Sequence, residues 1–228
     1  MPVAPPSLSS YRSSAGLSTA VVVMLCVHVC VDLFALWSGF RMYEVATRLD
    51  AASASASASE VDGTGTVYTV VGMAQLYLLL ATAVVFVIWL HRVRVNAELF
   101  APEYHAKKRA WVVWSWIVPV VNLWFPRRIA LDIWEASTVG SRRISAALIN
   151  WWWAAWLLSF LVSRYGRTPY LEVMTLGEMR FSLAVIMATD ALDLVAAALA
   201  VLWVRRLVRM QEDKVRRLAE QEPVPGAV

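Results

Sequence analysis

Charged side chains are scarce in this sequence. They make up 17% of its 228 residues, against roughly 25% in a soluble domain. Hydrophobic residues reach 59% and gather in long runs, so an ordinary soluble domain is excluded and the chain falls in the membrane class. Histidine and cysteine are scarcer still. His28, His91 and His105 are scattered without the spacing of a ligand set, so neither a metal site nor a cofactor is expected. Cys26 and Cys30 lie four apart on one helix face inside the first apolar run. A disulfide there would join nothing distant, and both read as small apolar packing residues. Gly-rich phosphate loops and Gly-x-Ser-x-Gly elbows are missing. So is a clear inverted repeat of broken helices, which argues against a secondary transporter.

What the chain has is apolar length. Runs at about 17–40, 67–90, 144–163 and 181–204 approach or exceed the ~20 residues that a transmembrane helix needs. The first, at 24 residues, is longer than the roughly 7–15 of a cleavable signal and reads as a retained anchor. Around the runs, residues 1–16 read as a disordered N-terminal tail, 41–66 as an acidic loop holding the low-complexity stretch AASASASAS, and 205–228 as a basic tail, helical to about Gln221. Residues 111–125 form a different element. This stretch is rich in Trp, is broken by Pro119, is followed by Pro126, Arg127 and Arg128, and is only 15 residues long, short for a span. An amphipathic helix is expected over about 127–137.

The positive charge follows this layout. Sixteen of the 21 Lys and Arg fall in the N-terminus, 91–110, 126–143 and the tail from 205, and five in the two remaining loops. The net charge of +4 is therefore a topology signal rather than a nucleic-acid footprint, and the rich side is cytoplasmic. This distribution requires residues 111–125 to enter and leave on one side, as a re-entrant or an interfacial segment. The expected fold is an all-α polytopic membrane protein in the plasma membrane: a bundle over 17–204 with four transmembrane helices plus that Pro-broken Trp-rich segment, and both termini cytoplasmic.

The blocks WLHRVRVNAE (89–98) and WSWIVPVVNLWFPRRIALDIWEAS (114–137) carry a resemblance. With Arg92, Arg94 and Asn96 upstream of Trp116, Pro119, Asn122, Pro126, Leu131 and Trp134, the pattern resembles the core of an uncharacterised family of actinobacterial multi-span membrane proteins, a domain of unknown function. The resemblance covers most of the chain from Val67 onward. It implies fold and lineage and no activity.

Ionisable residues inside spans are costly, so each is a functional-site hypothesis. Asp32 lies in the first run with His28 one turn before it, and Asp190 and Asp193 lie three apart in the fourth. Two carboxyls that close in low dielectric should hold one proton between them and so offer a general acid. Nine of the 12 Trp lie between 111 and 156, and indole faces attract cations. Asp32, Asp190, Asp193 and His28 are thus the candidate catalytic residues. Trp116, Asn122, Trp134, Trp152 and Trp156 are the candidates for substrate binding. Together they suggest an acid-assisted, metal-free enzyme on a lipophilic substrate, an isoprenoid among the candidates, with the general look of small membrane-bound terpene cyclases. The bilayer and such a substrate are the expected partners, and the sequence names no protein partner. Against this stands a structural role, in which the Asp residues hydrogen-bond across helices to groups such as Thr82, Asn150 and Thr189. A non-catalytic scaffold docking a partner through the basic face is the alternative. Asp132 and Glu135, three apart beside Arg127 and Arg128, could hold Mg²⁺ and a diphosphate; a solvated face with local ion pairs is the plainer expectation.

Overall fold

The computed structural model describes residues 10–50, 57–139, 145–171 and 175–221, and these are helical with no strand among them. Six α-helices follow in order: α1 (Ala15–Asp50), α2 (Ala58–Phe100), α3 (Trp111–Ile117), α4 (Phe125–Ala136), α5 (Ala147–Leu171) and α6 (Leu176–Gln221). Three of them, α1, α2 and α6, are long and apolar enough to cross a membrane, in keeping with a membrane protein. The helix α5 carries the third of the expected spans but is not among the three. It holds Trp151, Trp152, Trp153 and Trp156 as well as Asn150, and the indole N–H suits Trp to the membrane interface rather than the hydrocarbon.

The three long helices have 36, 43 and 46 residues. At 1.5 Å per residue each measures roughly 50–70 Å, about twice the hydrocarbon thickness. Apolar runs mark only the stretch that lipid can hold, and the helices continue beyond it. The loop expected over 41–66 is accordingly corrected. Residues 41–50 complete α1, and α2 begins at Ala58, while residues 51–56 of the low-complexity stretch lie outside the described residues. Ion pairs support these polar ends: Arg41 with Glu44 one turn on at 3.1 Å, Arg48 with Glu60, and Arg180 with Asp50 at 2.7 Å. Of the expected N-terminal tail, residues 1–9 lie outside the described residues and α1 starts at Ala15.

The chain divides into two units. One comprises Val23–Thr82 and Trp151–Ala200. Its interior is lined by small residues, Ala35, Ala46, Ala196, Ala197 and Ala200, which let helices approach closely. At Gly39 a Cβ would stand 3.0 Å from Met187 Cγ. A run of aromatic contacts lies along α5, with Trp153 stacked on Trp156 at 4.8 Å and Trp156 on Phe160 at 5.9 Å.

The other unit comprises Met1–Val22, Ala83–Asn150 and Val201–Val228. Its core is aromatic: Trp89 meets Trp203 edge-on at 5.1 Å, and Phe86 meets Trp203 at 5.9 Å and Trp116 at 5.8 Å. The Trp-rich segment lies here. Pro119 disfavours helical backbone at the residue before it, and Val118 is extended, with φ −78° and ψ 112°. The helix α3 therefore stops after seven residues, about 10 Å, far short of a span. One 3₁₀ turn at Val121–Leu123 leads to α4, which carries Pro126 in its first turn, where the missing N–H costs nothing.

Candidate functional site

The first unit gathers a polar cluster from three helices. Asp32 of α1 and Asp190 of α6 are both buried, at 1% and 7% exposure. Gln75 of α2 stands between them. Its Nε2 donates to Asp32 Oδ1 at 3.0 Å and to Asp190 Oδ1 at 3.1 Å, so both N–H bonds of one amide are spent on two carboxyl groups. His28, one turn before Asp32, brings Nε2 to 3.6 Å from Asp32 Oδ2. That distance suits an ion pair and is too long for a strong hydrogen bond. Asp32 Oδ2 and His28 Nδ1 are buried with no hydrogen-bond partner among the described residues.

The cluster follows from local sequence. Asp32 and His28 share a helix face at i, i+4. The face of α6 that buries Ala196, Ala197 and Ala200 also turns Asp190 inward. Asp190 thus meets Asp32 through Gln75, and Asp193 lies half-buried one turn further along α6. Trp152 is buried and Trp156 half-buried in the same unit. Gln75 is absent from the sequence-derived site. A signal existed, since it is the one side-chain amide in the run 67–90. An uncharged amide stands out less in an apolar run than an ionisable group does.

Trp116, Asn122 and Trp134 belong to the other unit. Trp134 is fully buried beneath Arg206, whose guanidinium lies 5.8 Å from its ring centroid. Asn122 is half-buried, with Oδ1 unpartnered among the described residues. Asp132 corrects an expectation. It does not sit on a solvated face with Glu135: it is 2% exposed, while Glu135 is exposed. The reason is helical phase, because Asp132 shares its stripe with the buried Ile129, Ile133 and Ala136. Arg128 pairs with it at 3.0 Å. Burial raises the Asp132 carboxyl above its ordinary value, against the lowering charge of Arg128.

A second polar network in this unit is built on side-chain amides. Gln211 of α6 is fully buried and donates from Nε2 to the Val93 carbonyl at 2.9 Å and to Ser137 Oγ at 3.1 Å. Asn96 of α2 donates to Gln211 Oε1 at 3.4 Å and to the Arg12 carbonyl at 2.9 Å, and accepts from the Arg12 N–H at 3.4 Å. Lys214 donates to the carbonyls of Ala136 and Thr138 at 2.7 and 2.9 Å, satisfying carbonyls at the C-terminus of α4. Arg94 pairs with Glu98 at 2.7 Å and donates to the Lys107 carbonyl at 2.7 Å. Burial lowers the imidazole of His105 below its ordinary 6.5, and the charge of Arg94 acts in the same direction. Every hydrogen of these amides meets a partner, as a rigid scaffold requires. The first cluster differs in that Asp32 Oδ2 accepts no hydrogen bond among the described residues.

Among the described residues, no group of three or more His, Cys, Asp or Glu is arranged to hold a metal ion. Comparison with curated proteins and with solved structures gives no match. The Arg94–Asn96 stretch of α2 and the Trp–Pro segment, which carried the resemblance in the sequence, lie within a stretch that a family model matches over residues 52–209, and the chain belongs to that family, described as a domain of unknown function (DUF4328).

Proposed function

We propose that this protein is a membrane-embedded, acid-assisted enzyme that isomerises or cyclises a lipophilic substrate, with Asp32 and Asp190 as its working pair. The observation that supports the reading is the amide of Gln75 bridging two buried carboxyls, while Asp32 Oδ2 faces His28 Nε2 at 3.6 Å and accepts no hydrogen bond among the described residues. Two carboxyl groups so close in low dielectric hold one proton between them. The protonated group gives its proton to a carbon–carbon double bond, forming a C–H bond and a carbocation. The ionised partner stabilises that cation and removes a proton from a neighbouring carbon, forming a new double bond and restoring the pair. Substrate and product have equal mass, and no co-reactant is consumed. Trp152 and Trp156 would offer their faces to the cation. An isoprenoid chain, rich in trisubstituted double bonds, fits this chemistry.

The topology proposed with it has four spans, α5 being the additional one, with 111–125 entering and leaving on the cytoplasmic side and both termini cytoplasmic. Its support is the charge bias together with the shortness of α3.

Membranes from cells expressing wild type, Asp32→Asn or Asp190→Asn, compared with empty vector and supplied with prenylated compounds, test the activity. A new isomer of unchanged mass is expected from wild type alone at equal expression. Wild-type membranes indistinguishable from empty vector across a broad set of prenyl lipids would count against the enzyme. A docking scaffold is the second reading, favoured by the exposed Arg205, Arg206 and Arg209 on α6. It expects loss of function on neutralising those arginines and silence in Asp190→Asn.

A further inference from the structure

The Trp-rich segment has two faces. Val112 and Ser115 of α3 are buried, and Trp116 packs on Phe86. Trp114, Ile117, Val120 and Trp124 of the same segment are instead 49–64% exposed. Such a concentration of exposed apolar surface on a short broken helix marks an interaction site. Its ends are basic. Lys107, Lys108 and Arg109 precede α3, and Arg127 and Arg128 open α4. Glu98 answers Arg109 and Asp132 answers Arg128. Lys107 instead lies 4.5 Å above the Phe125 ring, Arg127 donates to Asn150 Oδ1 at 3.1 Å, and Lys108 is exposed. Three cations therefore stand at the rim of an aromatic surface; Lys107 acts on Asp132 by charge alone, and none of the three is in an ion pair within 4 Å among the described residues.

Depth fixes the occupant. Phe86 lies four residues before Leu90, the end of the second apolar run, so Trp116 reaches only about 6 Å along the helix axis below that end. Interfacial segments bury their apolar face by roughly 5–10 Å, at the boundary of headgroups and acyl chains. Lys107, Lys108 and Arg127 then sit at headgroup level, where an anionic surface attracts cations.

We infer that the helix–turn–helix formed by α3 and α4 is a shallow membrane insertion that recruits anionic phospholipid, with Trp114, Ile117, Val120 and Trp124 in the acyl boundary and Lys107, Lys108 and Arg127 on the headgroup phosphates. The inference is independent of the chemistry proposed for Asp32 and Asp190.

The test uses the full chain in nanodiscs holding equal amounts of phosphatidylglycerol and phosphatidylcholine, one of the two carrying a photoactivatable group near the glycerol. Crosslinked peptides are mapped. Residues 111–125 should label roughly tenfold more with the anionic lipid, and the preference should fall as salt rises. The variant Lys107→Gln/Lys108→Gln/Arg127→Gln should bring the ratio near one with unchanged helical content. Equal labelling by the two lipids in wild type, a preference indifferent to salt, or a segment that labels with neither lipid would each overturn the inference.

Discussion

Gln75 and Gly39 show how much one side chain decides in this protein. Gln75 touches both Asp32 and Asp190. The carboxylates themselves were legible in the sequence, because a charge in an apolar run is conspicuous. Their meeting was not, since spacing along one helix carries no information about which residue of another helix faces it. Gly39 is the converse case, important for what it lacks. Met187 Cγ would stand 3.0 Å from a Cβ there and Tyr68 3.8 Å. Gly39→Leu should therefore destabilise this unit by about 1–3 kcal/mol through overpacking, and Gly39→Ala by less, because the Met187 side chain can turn aside. Thermal unfolding in detergent measures both, and equal midpoints for wild type and Gly39→Leu would contradict the close approach.

At the scale of the element, helix position was easier to read than helix phase. The apolar runs located the long helices but understated them, because hydrophobicity reports the lipid-compatible part and says nothing of an ion-paired extension such as 41–50. The break after α3 was visible as Pro119. The inward turn of Asp132 follows the Ile129–Ile133–Ala136 stripe, which its i, i+3 spacing to Glu135 masks in the sequence. The connector between α2 and α3 carries a pH dependence of its own. The folded imidazole of His105 takes up its proton at lower pH than the unfolded chain does. Stability from this group is thus complete above the ordinary 6.5 and drains away as pH falls through that value to the depressed one. Asp132 works in the opposite sense: its raised folded value means that protonation on acidification relieves a cost of burial. The two separate by mutation. His105→Gln should flatten the fall in unfolding midpoint between pH 7 and about pH 5 relative to wild type, and parallel curves for the two proteins would remove His105 from the account.

For the whole molecule, the proposed arrangement in the membrane makes a demand on four positions at once. With Cys26 and Cys30 replaced by Ala, single cysteines at Lys108 (Lys108→Cys) and Glu220 (Glu220→Cys) should be shielded from an impermeant thiol reagent in intact cells. Those at Ser57 (Ser57→Cys) and Thr175 (Thr175→Cys) should react. All four positions lie among the described residues and are exposed. Reaction at Glu220 together with shielding at Lys108 would mean an odd number of crossings after α2 and would sink the four-span arrangement. The charge bias made this reading possible from sequence. The division into two units was not legible, because both units draw residues from α1, α2 and α6 and no shift in composition marks where one gives way to the other. Asn96 binds the N–H and the carbonyl of Arg12, the two groups that nearly every residue owns. It fastens the two peptide groups that flank one Cα and ignores the side chain attached there. Substitution of the Arg12 side chain should therefore keep the same mooring, with proline the one letter of the alphabet that forfeits half of it.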